Sequence, residues 1–407
     1  MSTTWPLSSP PLSPLLPAGA VALPAAPQLL QSWQQVHHLL TSQDGEARPV
    51  ADNFGLSVYQ YCVYKAFGQA ADATLAQRAF ERLTASLPQL AEQSGGWSAR
   101  QLDQLSQAAW LHTQLAADGS QNPQAAALLT ALDTPLRHAA QQLRQEPTAS
   151  SSHNFFRIVR YFSLRPPTPA GQAHLQALLA APLPLASTTW PRPEALPEQL
   201  ALGLTEGLAA TLLLLSRLSR LGVPGLDLRA SVRQGVQRLL TLRHPVDFAE
   251  QHYAVFPYQV HRATGVASFS AELSWRRGDL GQAVLLYEAQ DLLQDAELAN
   301  IAELVGLNTL LRTTIPATQV TSSLLGQGAA GVAYLYHKLF YASGQRPAYR
   351  QGYQFWLAQT QHWLGEELAA GFYEHRQGDL LDGLAGVGLV LLSALSGSRL
   401  RWDAVVL

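Results

Sequence analysis

The sequence predicts an all-α protein built from repeated helix pairs. Apolar residues make up 47% of the 407 residues and charged residues only 14%, a balance that favours extensive buried helix surface. The sequence contains no continuous run of alternating β-branched residues, so no long strand is expected. The third observation is an imperfect internal repeat, in which a polar residue and a glycine are followed by an apolar helix.

The repeat is clearest in the second half of the chain. Its four copies are EGLAATLLLLSRL (206–218), RGDLGQAVLLYEA (277–289), QGAAGVAYLYHKL (327–339) and DGLAGVGLVLLSAL (382–395), with anchor glycines Gly207, Gly278, Gly328 and Gly383. Small residues in the first turn let helix N-termini approach closely, which predicts an inner layer of apolar helices. Amphipathic helices between the anchors, such as YRQGYQFWLAQTQHWLGEEL, are expected to cover that layer.

Weaker copies of the repeat precede these four. They are DNFGLSVYQYCVYKAF (52–67), GGWSARQLDQLSQAAWLHTQL (95–115) and HNFFRIVRYFSL (153–164), which brings the total to about seven helix pairs. Residues 1–28 are Pro-rich and predict a disordered or extended lead-in to a single domain over 29–407. Within that domain, the Pro-rich residues 164–198 predict a long loop with one short helical island.

Bulk properties exclude several classes of function. A net charge of −2 gives no reason to expect nucleic acid or an anionic membrane as a partner. The longest apolar stretches are too short, or too interrupted by glycine, to span a membrane, and the N-terminus lacks the basic region of a secretory signal. We therefore expect a cytoplasmic protein. The single cysteine, Cys62, excludes an intramolecular disulfide and any zinc site with two thiolates.

The glycine-headed helices, above all LLDGLAGVGLVLLSAL at the end of the chain, closely resemble those of the lanthionine synthetase C-like cyclases. The resemblance is good over about 200–395. It implies an α/α toroid of seven inner and seven outer helices. It also implies an activity, the addition of a cysteine thiol of a ribosomally made precursor peptide to a dehydroamino acid, which closes a thioether ring in a lanthipeptide.

Family members use zinc to convert the thiol to a thiolate, and they hold it in motifs of the form Trp-Cys-Tyr-Gly and Cys-His-Gly. The matching stretches here read Trp275-Arg276-Arg277-Gly278 and Gly326-Gln327-Gly328. Arg276 and Gly326 thus stand where the family has thiolates, and Gln327 stands where it has imidazole. A guanidinium repels a divalent cation, so the resemblance predicts a divergent member without metal or other cofactor.

Five residues are candidate catalytic groups. Arg276 and Arg277 can lower the pKa of a substrate thiol and stabilise an enolate oxygen. The alternative is that Arg276 pairs with Glu272 or Glu206 and fills an inactive site. Glu206, where the family usually has histidine, and Glu272, where it has arginine, can move protons or serve only as ion-pair partners. Gln327 can bind a peptide or be a tolerated polar residue.

Four residues are candidate substrate contacts. Trp275 adjoins the arginines, and His252, His261 and His375 lie in loop-like stretches at the predicted rim, where each is also a possible proton donor. Asp279 and Asp382 flank anchor glycines and are expected to cap helix N-termini. Cys62 lies in an apolar run and is expected to be a buried structural thiol.

We therefore expect a zinc-independent thioether cyclase that acts on a dehydrated precursor peptide. One alternative is a non-catalytic peptide-binding partner of a lanthipeptide dehydratase. A carbohydrate-active α/α barrel with Glu206 and Glu272 as acid and base is a further alternative, and the glycine pattern argues against it.

Overall fold

The computed structural model describes residues 26–42, 50–91, 96–119, 122–145, 149–166, 168–180, 199–223, 225–261, 264–397 and 400–407. Most of the predicted lead-in, up to residue 25, and residues 181–198 of the predicted loop lie outside this part of the chain. The described part is almost entirely helical.

Seven helices form an inner ring. They are α2 (Val50–Phe67), α4 (Ala99–Ala117), α6 (Ala149–Leu164), α8 (Leu208–Arg220), α10 (Asp279–Leu293), α13 (Ala329–Ala342) and α15 (Leu384–Ser396). Each packs against the next in this order, and α15 packs against α2, so that the ring closes.

Seven further helices surround the ring. They are α1 (Ala26–Thr41), α3 (Ala70–Ala91), α5 (Pro123–Gln145), α7 (Pro169–Leu179), α9 (Arg229–Leu240), α11 (Ala296–Leu310) and α14 (Pro347–Ala369). A four-residue helix, α12 (Ile315–Thr318), and a 3₁₀ helix (Trp402–Val405) complete the helical elements of the described residues. The predicted all-α toroid of about seven helix pairs is confirmed.

The two layers differ in how much of each helix is buried. In α15 all eleven residues from Leu384 to Ala394 are buried, because the inner helix has neighbours on every side. In α9 the buried residues are Val232, Gly235, Val236 and Leu239, one stripe at the helical spacing. The apolar and amphipathic patterns of the sequence thus correspond to the inner and outer layers.

Helix α7 revises the prediction for residues 164–198. The predicted island is the outer helix Pro169–Leu179, capped by the Thr168 hydroxyl, which accepts a hydrogen bond from the Gly171 N–H at 3.1 Å. Pro169 at the first helical position needs no N–H partner there. Proline therefore marks the start of a helix within the stretch that was predicted as a loop with a helical island.

A small sheet was not predicted. Strands β1 (Gln199–Ala201), β2 (Gln259–His261) and β3 (Ala267–Ser268) pair antiparallel in the order β1-β2-β3, with Leu200 opposite Val260. The strands are two or three residues long, too short to give a period-2 signal in the sequence.

Four segments that precede inner helices form a continuous structure, which we call the collar: residues 202–207, 272–278, 322–328 and 376–383. The predicted anchor glycines are the N-cap residues of α8, α10, α13 and α15. Gly278 has φ +103°, a conformation that L side chains rarely adopt, and a side chain there would meet the Glu272 carbonyl. The collar places the ends of four inner helices on one face of the ring.

Candidate functional site

The collar brings the predicted ligand positions together through its backbone. The Arg276 N–H donates to the Gly326 carbonyl at 3.1 Å, and the Gly326 N–H donates to the Leu381 carbonyl at 2.7 Å. On the other side, the Leu204 N–H donates to the Arg276 carbonyl at 3.2 Å. These bonds fix the separation of four collar segments. The structure therefore places Arg276 and Gly326 side by side, as the two motifs predict.

Gly326 leaves the space that the Arg276 side chain uses. A Cβ added at Gly326 would lie 2.9 Å from Arg276 Nε and 2.9 Å from the Leu381 carbonyl oxygen. Real Cβ atoms essentially never approach backbone oxygen so closely. The loss of a side chain at position 326 and the presence of a guanidinium at position 276 are therefore complementary.

The Arg276 guanidinium forms an ion pair with Asp382, through Nη2 and Oδ2. The Arg276 side chain is 29% exposed and that of Asp382 is 48% exposed, so the pair faces solvent at the collar. Neither Glu272 nor Glu206, the partners considered from the sequence, is the partner of Arg276. The helix-capping role predicted for Asp382 is wrong as well, since α15 has no side-chain cap.

Arg277 lies apart from this pair. Its guanidinium is 3.8 Å from Glu272 Oε2 and stacks over the Tyr258 ring, with Cζ 5.2 Å from the ring centroid. Ser274 Oγ donates to Glu272 Oε1 at 2.7 Å, which holds that carboxylate within its own loop. Half of the Arg277 side chain is exposed. Glu272 is thus an ion-pair partner of Arg277 rather than of Arg276.

Glu206 belongs to a different cluster. Its Oε1 accepts a hydrogen bond from Arg157 Nη2 at 2.9 Å, and its side chain is 57% exposed. Arg157 Nε also donates to Asp103 Oδ1 at 3.0 Å, and Arg160 contacts the same Asp103 oxygen. Glu206, Arg157, Asp103 and Arg160 therefore form one network across α4, α6 and the start of α8.

Arg157, Arg160 and Glu206 of this network line an open cleft, which we call the α6/α8 cleft. Its polar lining comes from His153, Arg157, Arg160, Thr205 and Glu206, and its apolar lining includes Phe156, Ala210, Leu214 and Leu407. Arg157 and Arg160 are both more than nine-tenths buried. Burial lowers the pKa of Arg160, although the nearby Asp103 carboxylate opposes this shift.

Asp279 is part of the framework and does not cap α10, contrary to the prediction. It is fully buried and paired at 3.0 Å with the fully buried Arg312. Its carboxylate also accepts hydrogen bonds from the backbone N–H groups of Val255 and Phe256, at 3.0 and 2.9 Å. Burial raises the pKa of Asp279 and lowers that of Arg312, so the ion pair forms against a desolvation cost.

Trp275 does not fit the substrate contact predicted for it. Its side chain is fully buried, and its ring packs against Tyr334 with centroids 6.0 Å apart. A residue with no accessible surface cannot touch a ligand in this conformation. Gln327, next to Gly326, has an exposed side chain and stays a candidate peptide contact.

The three histidines predicted at the rim lie in separate places. His252 is exposed and meets His244 edge-on, with ring centroids 6.1 Å apart. His261 ends β2, where its Nδ1 lies 3.0 Å from Thr264 Oγ1. His375 is exposed in the turn after α14. The structure assigns none of them to the Arg276–Asp382 pair, so their predicted roles stay predictions.

The residues at the predicted zinc-ligand positions do not fit a zinc ion. Zn²⁺ in proteins is held by thiolate, imidazole or carboxylate groups. Arg276 brings a cation, Gly326 has no side chain, and Gln327 offers only an amide. The neighbouring carboxylate, Asp382, is engaged by Arg276. Within the described ranges, no three His, Cys, Asp or Glu side chains are grouped so that they could hold a metal ion.

Sequence reasoning missed Asp103, Arg157, Arg160 and the ionic role of Asp382. The segment FFRIVRYF did carry a signal, because two arginines three residues apart on an apolar helix lie on one buried face. A buried arginine needs an anion, and Asp103 on α4 supplies it. The identity of that partner depends on how α4 and α6 pack, which the local pattern does not contain.

Comparisons with known proteins support the fold. No family model matches the chain, and no curated protein matches it in sequence. In structure, the chain is similar to nisin cyclase, with a TM-score of 0.67 and 13% sequence identity over 93% of this chain and 96% of that one. Within the described residues, every helix falls short of the length or the apolar character that a bilayer span needs. At this identity the likeness concerns the fold alone: the chain folds as a nisin-cyclase-like α/α toroid.

Proposed function

We propose that the protein binds a dehydrated ribosomal precursor peptide in lanthipeptide maturation, and that it does so without zinc at the collar. Two features support the proposal. The toroid is similar to that of nisin cyclase, and the collar joins the segments of Arg276 and Gly326, whose motifs match those in which the resembling family binds its metal. Because those positions carry a guanidinium and a glycine, the donor set favours a metal-free site.

The proposed mode of action rests on the pairing of Arg276 and Arg277, both of which already have counter-ions. Arg276 is paired with Asp382, and Arg277 lies 3.8 Å from Glu272. A paired cation exerts a much weaker field on a substrate thiol than an uncompensated divalent ion would. This favours binding and presentation of the peptide, the role of a non-catalytic partner of a dehydratase in the cytoplasm.

Zinc-independent ring closure is the second candidate, and the exposure of Arg277 favours it. Half of that side chain is accessible, and its distance to Glu272 is long for an ion pair, so a substrate thiolate or enolate oxygen can approach the guanidinium. In this reaction the thiol sulfur bonds to the β-carbon of the dehydroamino acid, and a proton goes to the α-carbon. Positioning of two groups on one chain lowers the barrier further.

The carbohydrate-active alternative loses its support. An acid/base couple needs two carboxylates that face one substrate. Glu206 belongs to the network with Arg157, whereas Glu272 is held by Ser274 and Arg277 in the loop before α10. Each carboxylate serves a separate cluster.

The proposal is tested with a synthetic peptide that carries one dehydroalanine and one cysteine. Chelator-treated protein is mixed with the fluorescently labelled peptide, and binding is followed by anisotropy. Ring closure leaves the mass unchanged, so it is detected by the loss of thiol alkylation in the mass spectrum. Cys62 does not interfere, because burial raises the pKa of its thiol and keeps it protonated.

The outcomes separate the two modes. Saturable binding with the peptide thiol still alkylated supports the presenting role. Loss of alkylation faster than in the peptide alone supports ring closure, and the Arg277→Gln variant is then expected to slow it. Absence of saturable binding overturns the proposal.

A further inference from the structure

The α6/α8 cleft contains cations that the proposed function does not use. Asp103 Oδ1 serves both Arg157 and Arg160, so one carboxylate faces two guanidinium groups. Both arginines are more than nine-tenths buried, and such groups need compensating anions. Without Glu206, the two guanidinium groups of this cluster share a single carboxylate, that of Asp103.

Two polar groups that line the cleft lack a hydrogen-bond partner. Arg160 Nε and Thr205 Oγ1 are buried and unpaired, although Arg160 contacts Asp103 through its Nη2. Unpaired buried polar atoms are costly. These two atoms have no accessible surface themselves, but they show that the residues lining the cleft are short of hydrogen-bond partners there. The apolar side chains of Phe156 and Leu214 line the same cleft and can receive an apolar part of a ligand.

Glu206 differs from the other members of the network because it is mostly exposed. Its carboxylate reaches Arg157 Nη2 at 2.9 Å from the rim, while 57% of the side chain remains in solvent. Because the Glu206 carboxylate is largely hydrated while Arg157 is buried, a competing carboxylate can take its place on Arg157 without leaving that guanidinium unpaired. The bond shows where and how a ligand carboxylate can bind to Arg157.

We propose that the α6/α8 cleft is a carboxylate-binding subsite for a peptide ligand, and that Glu206 occupies it as a displaceable internal ligand. The incoming carboxylate replaces Glu206 on Arg157, next to Arg160 and Thr205 in the lining of the cleft. The identity of the ligand as a peptide rests on the proposed function; the carboxylate specificity rests on the cleft. The carboxylate belongs to an acidic side chain or to a free C-terminus.

Three small probes test this subsite by isothermal titration calorimetry. They are N-acetyl-Leu-Asp-amide, N-acetyl-Leu-Asn-amide and N-acetyl-Leu-Asn with a free C-terminus. We expect one carboxylate probe to bind roughly tenfold tighter than the uncharged one, as charge-assisted hydrogen bonds require. The tighter of the two identifies the source of the carboxylate. Equal affinity of all three probes would overturn the proposal.

Two variants locate the binding. Glu206→Gln removes the charge of the internal competitor, which is largely hydrated, and is expected to tighten the binding of the carboxylate probe about two- to fivefold. Arg157→Gln is expected to abolish the preference for the charged probe. If Arg157→Gln does not fold, the exposed Glu206→Gln still decides, because an unchanged or weakened affinity there contradicts the proposal. The probes contain no dehydroalanine, so a failure of the precursor assay and a failure of this subsite are distinguishable.

Discussion

Two ion pairs beside collar glycines show that burial determines whether a charged pair stabilises the fold or is accessible to a ligand. Asp279 and Arg312 are fully buried, and the carboxylate also holds two loop N–H groups. Arg276 and Asp382, in the neighbouring segments, are 29% and 48% exposed. The charges are of the same kind, but removal of a partner leaves a bare buried charge in the first pair and a hydrated one in the second. The buried pair therefore fixes the collar, and the exposed pair is available for exchange.

The largest expected effect comes from breaking the buried pair. Asp279→Ala leaves Arg312 as an uncompensated buried cation and two loop N–H groups unpaired, and we expect it to lower the free energy of unfolding by about 3–5 kcal/mol. Asp382→Ala is the matched control, with an expected loss of about 1 kcal/mol or less. Urea denaturation of both variants measures the difference. Similar losses in the two would contradict the division into framework and site.

Asp403 is an intermediate case, and its contribution to stability is expected to depend on pH. Burial alone would raise the pKa of its carboxyl, but Lys338, 2.7 Å away, and Arg217 hold the pKa at about 2, below the usual 3.8. Because the folded pKa is depressed, this stabilisation is complete above the unfolded value and is lost as the pH falls through the folded one.

We therefore expect Asp403→Asn to lower the free energy of unfolding by about 2 kcal/mol at pH 7. The deficit relative to the parent protein should shrink as the pH is lowered from about 4 toward about 2. Urea denaturation at a series of pH values measures it. A deficit that stays constant across that range would show that the carboxylate charge is not what stabilises this end of the fold.

The same contrast explains which features of the protein could be predicted from the sequence. Apolar runs after Gly207, Gly278, Gly328 and Gly383 predicted the inner helices, because a helix surrounded by neighbours is apolar on every face. The adjacency of the Arg276 and Gly326 segments was implied by the resemblance to the cyclase family, whose motifs at these positions hold one metal ion.

Charge partners could not be predicted in the same way. Arg276 pairs with Asp382, 106 residues away, although Glu272 lies four residues before it in the sequence. The choice depends on a backbone path that directs the Arg276 side chain past Gly326 and holds Glu272 in a hydrogen bond with Ser274. Such a path is a property of the packed collar. For the same reason Glu206, considered from the sequence as a partner of Arg276, pairs with Arg157 in the α6/α8 cleft instead.

The smallest expected effect concerns the exposed pair itself. A double-mutant cycle with Arg276→Gln, Asp382→Asn and the double variant isolates the interaction between the two side chains, and we expect a coupling free energy of about 0.2–1 kcal/mol at low salt. Salt at about 1 M, where the Debye length falls to about 3 Å, should remove most of it. Urea denaturation at the two salt concentrations gives both values. A coupling well above this range that also survives salt would mean that the pair behaves as Asp279 and Arg312 do, in which case the Arg276 guanidinium is part of the framework and is not free to meet a peptide.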